Sequence, residues 1–153
     1  MTLKYILVTR YKKAVKRMVK IPDVVVTAIN NQNNPKILAT VDAQGAPHAI
    51  QAGSITAPSN EIIIAASILM KRTGNNLESM KQHNTLASFL VLDGMNAYEV
   101  RCTVGEFLTV GPMFDAVEAK VKEMGMSLKG VWTFTPVEVY NESASPEAGT
   151  KMV

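Results

Sequence analysis

The side chains with the clearest chemical potential in this 153-residue chain are two adjacent cations and a hydroxyl, Lys71, Arg72 and Thr73. They follow the apolar run 61–67 and begin a polar segment that ends near Gln82. This pattern predicts a strand that is followed by a helix. Thr73 can cap this helix by accepting its free amide hydrogens. Because a helix N-terminus carries about half a positive charge, two cations beside it form an anion site suited to a phosphate group. A simply solvated cation pair is the local alternative.

Other reactive side chains are few. Asn76 offers an amide one turn into the same helix, and Cys102 is the single cysteine. With only His48 and His83 beside that cysteine, the ligands of a zinc site are missing, so no metal is expected. A hydrolase would need a nucleophile, histidine and acid together, and a dinucleotide fold would need GxGxxG after a strand. Neither pattern occurs, and no side chain is assigned as catalytic.

The charge is unevenly distributed. The chain has 16 basic and 13 acidic residues, and seven of the basic ones lie in the first twenty positions. The remainder is acidic on balance, so no nucleic-acid partner is expected. The longest apolar run, 62–66, is far shorter than the roughly 20 residues of a membrane span. The apolar stretch among the first residues is too short for the apolar region of a secretory signal. We therefore expect a cytoplasmic protein.

The pattern divides the chain into a basic amphipathic helix over 1–20, a body over 21–140 and a flexible tail over 141–153. The basic helix suits a membrane surface, a nucleic acid or simple packing with a solvated basic face, and it is assigned no function. Within the body, apolar runs between turn residues predict six antiparallel strands, at 37–41, 47–56, 61–67, 87–92, 97–108 and 132–140. Helices are predicted at 22–30, 74–82 and 112–124, although the β-branched run 24–26 leaves a strand open there.

Several of these segments resemble a known family. ATVDAQGAPH at 39–48 precedes the Lys-Arg-Thr stretch with Asn76 and Leu77, and the strand 100–107 with Gly105 follows. In this order, over roughly residues 22 to 140, they resemble the FMN-binding split barrels of the pyridoxamine 5′-phosphate oxidase-like superfamily, and most nearly its small FMN-binding proteins. The resemblance implies a mainly β fold with flanking helices, a six-stranded antiparallel Greek-key split β-barrel. It also implies a homodimer with FMN in the clefts between subunits.

The resemblance assigns cofactor-binding positions along two strands and one helix start. It implies contacts to the isoalloxazine ring, the ribityl chain and the phosphate from Ile50, Gln51, Ala52, Gly53, Ser67, Lys71, Arg72, Thr73 and Asn76. The small residues 52–54 fit the close backbone approach that a flat ring needs, with packing against a neighbouring strand as the alternative. His48, beside this strand, fits a structural role better than a catalytic one. Trp132 would cover the ring from the partner subunit or belong to the core.

The implied function is that of an oxidoreductase or electron carrier that uses non-covalently bound FMN, resembles flavin reductases and has a small-molecule or protein redox partner. Pyridoxamine-phosphate oxidases place an arginine and a lysine where this chain has Ile50 and Ile55, so that activity is not expected. The alternative is a non-catalytic module that binds haem or deazaflavin F420, or that docks a partner protein. Haem would need an axial ligand from His48, His83, Cys102 or a methionine, whereas deazaflavin would use the same phosphate site.

Overall fold

The chain folds around one antiparallel sheet, described over residues 17–153 by a computed structural model. Three helices and eight strands follow in the order α1 Asp23–Asn30, β1 Lys36–Val41, β2 Pro47–Gln51, β3 Thr56–Ser59, β4 Ile62–Ser67, α2 Lys71–His83, β5 Ala87–Asp93, β6 Asn96–Leu108, α3 Pro112–Glu123, β7 Gly130–Asn141 and β8 Thr150–Lys151. The helix predicted for 1–20 lies outside the described residues except at 17–20, which are not helical. No helix within residues 17–153 has the length and apolar character to cross a membrane.

The first helix forms as its sequence predicts. Pro22 occupies the N-cap position of α1, where its missing N–H costs nothing, and the helix buries Val25, Ala28 and Ile29 on one face. The 3.6-residue spacing of this face therefore outweighs the strand preference of its β-branched residues. The predicted helix is confirmed, and the strand alternative is not.

Turn chemistry fixes the two predicted hairpins. The carboxylate of Asp42 accepts hydrogen bonds from the amides of Gln44 and Ala46, and Gly45 has φ +83°. In the second hairpin Gly94 has φ +60° at the first of two loop residues, as in a type II′ turn. The hairpins are confirmed, with the second turn centred one residue beyond the predicted Asp-Gly pair.

The sheet curls because its two edge strands are neighbours in sequence. Its order is β2-β1-β5-β6-β7-β4-β3, with β8 paired to β7. A flat path of seven strands would separate the edges by about 29 Å. The loop 52–55 between β2 and β3 can span no more than about 18 Å, so the edges approach each other at this end. The described pairings do not close the sheet, so the predicted Greek-key barrel is not confirmed.

The prediction of six strands was wrong, because the described residues form eight. The predicted strand 47–56 is broken at 52–55, because the amide of Ala52 makes the last bond of the β1–β2 pairing, to the Lys36 carbonyl, and the chain then turns at Gly53 and Ser54. The turn residues Pro58 and Ser59 instead lie in β3, a short edge strand, which is the position in a sheet that tolerates proline. The eighth strand comes from the predicted tail.

The segment predicted as a flexible tail folds back onto the sheet. β8 pairs with the end of β7, and the amide of Met152 donates to the Val139 carbonyl at 2.7 Å. Ser143 is buried, and its hydroxyl accepts from the Ala97 amide at 3.0 Å. The mobility of this segment stays a prediction.

The core lies between α1, α2 and the inner face of the sheet. Phe89 and Phe134 meet edge to face at its centre, with ring centroids 4.7 Å apart. Leu77 and Met80 of α2 join it, and Leu38 of β1 is fully buried. This packing sets the position of α2 against β1, and with it the position of the first turn of α2.

Candidate functional site

A cleft of about 1890 Å³ extends from β2 across the loop 52–55 and the β3–β4 hairpin to the start of α2 and to α3. Pockets for small ligands usually occupy about 300–1,000 Å³, so this cleft has room for a nucleotide-sized ligand and more. It lies where the curled sheet brings its two edges together. The fold thus places the predicted strand and the predicted helix start in one wall.

The first half of the wall contains four of the predicted site residues, Ile50, Gln51, Ala52 and Gly53. A Cβ built on Gly53 would meet no atom within 4 Å, so the backbone here faces open space. The hydroxyl of Ser54 donates to the Ala66 carbonyl at 3.4 Å and ties this loop to β4. A flat ligand can therefore approach the backbone closely along this stretch.

The second half of the wall is the first turn of α2. Lys71 and Arg72 are exposed and line the cleft together with Thr73. The helix begins at Lys71, three residues earlier than predicted, and its N-cap is Met70, which makes no side-chain cap. Thr73 is therefore not the capping residue; it lies within the first turn, 1% exposed.

The amides of this turn suit an anion. The Lys71 amide bonds the Leu69 carbonyl and the Gly74 amide bonds the Met70 carbonyl, whereas the amides of Arg72 and Thr73 have no backbone acceptor in the described part of the chain. Helices leave their first N–H groups free in this way, and no acidic side chain lies in the first turn to occupy them. Two free amides and two cleft-lining cations therefore lie together at the start of α2.

Two predicted site residues lie beneath the wall instead of in it. Asn76 is buried, and its amide donates to the Thr40 hydroxyl at 3.0 Å. Ser67 is buried at the end of β4, where its carbonyl accepts from the Lys129 amide at 2.9 Å. Both residues support the elements that line the cleft. Their contact with a cofactor stays a prediction.

Sequence patterns missed the opposite wall, which comes from α3 and the segment after it. Its lining residues are Pro112, Met113, Ala116, Val117, Lys120, Val121, Glu123, Met124 and Met126. The apolar spacing in this helix predicts a packing helix, yet only Val121 is buried. The available signal was the number of methionines, which suit an adaptable binding surface. Charged side chains in the whole lining are three cations and one carboxylate, Glu123, so the cleft is electropositive.

The remaining candidate side chains divide between core and surface. Trp132 is 3% exposed and packs on Phe107 at 4.9 Å between ring centroids, which matches its core alternative. Cys102 is buried, and burial raises the pKa of its thiol, so it is not a nucleophile. His48 lines the cleft, whereas His83 is exposed at the end of α2 and bonds the Ser79 carbonyl. No group of three metal-ligating side chains occurs among residues 17–153.

Solved structures with this fold are found at low sequence identity, although no family model and no curated protein sequence matches the chain. HupZ of Group A Streptococcus superposes with a TM-score of 0.69 at 22% identity over 84% of this chain and 99% of HupZ. A candidate pyridoxamine 5′-phosphate oxidase of Lactobacillus delbrueckii superposes with a TM-score of 0.63 at 22% identity, over 79% of this chain and 93% of that protein. An FMN-binding protein of Syntrophomonas wolfei gives a TM-score of 0.65 at 19% identity over 78% of this chain and 82% of that protein.

More distant matches widen the range of ligands within the fold. They include an F420 reductase at 14% identity and HutZ, the heme storage protein of Vibrio cholerae, at 16% identity. Both superpose with a TM-score of 0.57, over 78% and 82% of this chain. The chain therefore has the same fold as these proteins, which include a candidate pyridoxamine 5′-phosphate oxidase and an FMN-binding protein.

Proposed function

We propose that this cleft binds FMN non-covalently, with the phosphate at the first turn of α2 and the isoalloxazine ring along 50–53. The observation that carries the proposal is that Lys71, Arg72 and the two free amides of α2 share one cleft with the small-residue loop after β2. A phosphomonoester has a charge of about −1.5 to −2, which two cations and a helix N-terminus balance. Charge-assisted hydrogen bonds from these donors then fix its position.

The ring end of the cleft is suited to an apolar, planar group. Ile50, Ile64 and Ala66 supply apolar surface, and the backbone at Gly53 faces open space, where it is accessible for hydrogen bonds to the ring edge. These groups orient the ring and exclude water from it. The residues present therefore fit the cofactor at both ends.

The reaction we propose is electron transfer. Bound FMN supplies the capacity to take up and release hydride or single electrons. The lining of the cleft holds one carboxylate and one histidine, so the described residues bind and orient the cofactor more than they supply acid or base. This supports a reductase-like oxidoreductase or an electron carrier, with a soluble molecule or a protein as the redox partner. The single cysteine of this chain, Cys102, is buried and free, which supports a location in the reducing cytoplasm.

We propose further that a second copy of the chain completes the cleft. Leu69 is 83% exposed and Met124 59% exposed, and both line the cleft, so large apolar side chains are exposed there, as at sites of protein association. Leu69→Lys should shift the mass measured by light scattering from dimer to monomer and weaken FMN binding. Met95→Lys, at a comparably exposed apolar residue outside the cleft, is the control. A monomeric wild-type protein would contradict this part of the proposal.

Absorption spectroscopy tests the cofactor directly. Purified protein, or protein given FMN, should show flavin bands near ~370 and ~450 nm that remain after desalting. Lys71→Ala/Arg72→Ala should weaken FMN binding by at least about tenfold and leave riboflavin binding nearly unchanged, because only the phosphate is lost. Lys81→Ala/Lys122→Ala removes the same charge outside the cleft and serves as the control. Equal losses for FMN and riboflavin would mean that the phosphate lies elsewhere.

The alternative ligands have one observation each in their favour. His48 lines the cleft and is a possible axial ligand for haem, and the phosphate site would accept deazaflavin F420 as well as FMN. Titrations of the apoprotein with haem, F420 and FMN under one set of conditions rank the three. His48→Ala should abolish haem binding without weakening FMN if haem is the physiological ligand.

A further inference from the structure

Lys36, the first residue of β1, is a buried cation outside the lining of the cleft. The residue is 2% exposed, and its ammonium donates to the carbonyls of Ile29 at 2.9 Å and Ile55 at 3.3 Å. No carboxylate within residues 17–153 forms an ion pair with it. A buried charge held by backbone carbonyls alone is costly, so its position calls for a physical reason.

The two carbonyls belong to different elements that meet behind the cleft. The Ile29 carbonyl is one of the last of α1, where carbonyls lack helical partners and the helix dipole is negative. The Ile55 carbonyl ends the loop that connects the two edge strands. The ammonium therefore joins the C-terminus of α1 to the far end of this loop.

The same residue also holds the near end of the loop. The backbone carbonyl of Lys36 accepts from the Ala52 amide at 3.0 Å, so both ends of 52–55 are bonded to one residue. Asn30 adds a neutral clamp just beyond, since its side chain donates to the Ala57 carbonyl at 2.9 Å and accepts from the Ala57 amide at 2.8 Å. Between these attachments, Gly53 and Ser54 face the cleft.

We propose that Lys36 is the positioning residue for the ring end of the cleft, where it fixes the loop 52–55 and places one positive charge behind it. This inference rests on the proposed FMN site. The loop conformation governs how closely a planar ring can approach the backbone, and so it affects the ring and not the phosphate. The charge favours the reduced cofactor over the oxidised one, because reduction adds negative charge to the ring.

The test compares Lys36→Met with Lys20→Met, the same substitution at an exposed lysine whose side chain is 70% accessible. Lys36→Met should weaken FMN and riboflavin by the same factor, about tenfold, because the loop loses the ammonium hydrogen bond to the Ile55 carbonyl that holds it in place. The preference for reduced over oxidised FMN should also fall by about tenfold, which lowers the two-electron potential by about 30 mV. Asn30→Ala loosens the neighbouring clamp without changing charge, so it should weaken both ligands and leave the potential unchanged.

Clear outcomes overturn the inference. Unchanged binding and potential in folded Lys36→Met, or a loss confined to FMN, would show that Lys36 does not position the ring. If that variant does not fold, Lys36→Gln keeps a donor without the charge. It should bind both flavins less than about tenfold more weakly than the wild-type protein and still lower the potential. An unchanged potential overturns the inference as well. Failure of the wild-type protein to bind either flavin would instead refute the proposed function.

Discussion

The amide of Asn76 in α2 donates a 3.0 Å hydrogen bond to the hydroxyl of Thr40 in β1, and both side chains are buried. This bond attaches the helix that carries Lys71 and Arg72 to β1, the strand paired with β2, which leads into the loop 52–55. Asn76 therefore joins the elements that carry the phosphate end and the ring end of the proposed site, beneath the lining of the cleft.

Replacement of Asn76 should destabilise the protein and loosen the first turn of α2. Asn76→Ala leaves the Thr40 hydroxyl buried without its donor, which should lower the free energy of unfolding by about 1–3 kcal/mol. The exposed neighbour Asn75→Ala should change it by less than about 0.5 kcal/mol. Urea denaturation measures both, and FMN titration should show weaker binding only for Asn76→Ala. Equal effects of the two variants would show that this bond has no special role.

Two glycines in the β6–β7 pair should respond differently to alanine. A Cβ on Gly130 would overlap the far end of the half-exposed Phe107 ring, which can swing outward. A Cβ on Gly105 would lie 2.9 Å from the backbone carbonyl oxygen of Thr133, which cannot move alone. We expect Gly105→Ala to cost about 1–3 kcal/mol of unfolding free energy and Gly130→Ala to cost less.

Second-site variants check this difference. Phe107→Leu should restore the stability that Gly130→Ala loses. Thr133→Ala should not restore the stability that Gly105→Ala loses, because the overlap with the backbone carbonyl remains. Thermal denaturation of the single and double variants measures both effects. A larger loss for Gly130→Ala than for Gly105→Ala would contradict the prediction.

The buried thiol of Cys102 should make stability fall at high pH. Burial raises the pKa of this thiol in the folded protein, whereas the unfolded chain releases the proton above about pH 8.5. The folded state then binds more protons than the unfolded state, so the free energy of unfolding falls by up to about 1.4 kcal/mol per pH unit in this range.

Cys102→Ala should remove that slope, as measured by urea denaturation between pH 7 and about pH 10. A thiol reagent such as DTNB should react with the native protein only at the rate at which it opens or unfolds. Rapid labelling of the folded protein would contradict the burial of this residue.

Removal of residues 150–153 should destabilise the fold without affecting the cofactor. The truncation deletes β8 and the hydrogen bonds of Met152 and Val153 to Val139, which should cost about 1–3 kcal/mol. FMN affinity should be unchanged, because β8 pairs with the end of β7 opposite Gly130. Lys151→Ala, at an exposed side chain, is the control. An unchanged unfolding curve would instead support the predicted flexible tail.

Local chemistry let the sequence predict most elements. The Asp42 turn, the Asp-Gly hairpin and the proline at the start of α1 depend on side chains within a few residues of the backbone that they fix. The exposure of the helix at 112–123 could not be predicted. The helix itself could be predicted because Gly111-Pro112 precedes it and Gly125 follows it. Such features are decided before any distant contact forms, so a sequence shows them.

The strand count failed where distant contacts decide the backbone. Gly53 and Ser54 form the turn that breaks the predicted strand, and the distant partner of this loop is Lys36, 16 positions before Ala52, which bonds both of its ends. β8 likewise exists only because β7 offers it an edge. Neither partner can be identified from the residues of the segment alone.

For the site, the sequence by itself predicted which side chains suit an anion and which stretch is small enough for a planar ring. The tertiary structure decided that these lie in one cleft, because the curl of the sheet brings β2 and β3 together. It also decided that α2 begins at Lys71, that Asn76 faces Thr40 and that α3 forms the opposite wall. The direction in which a side chain faces depends on what packs against its element, and that partner is fixed only when the whole chain has folded.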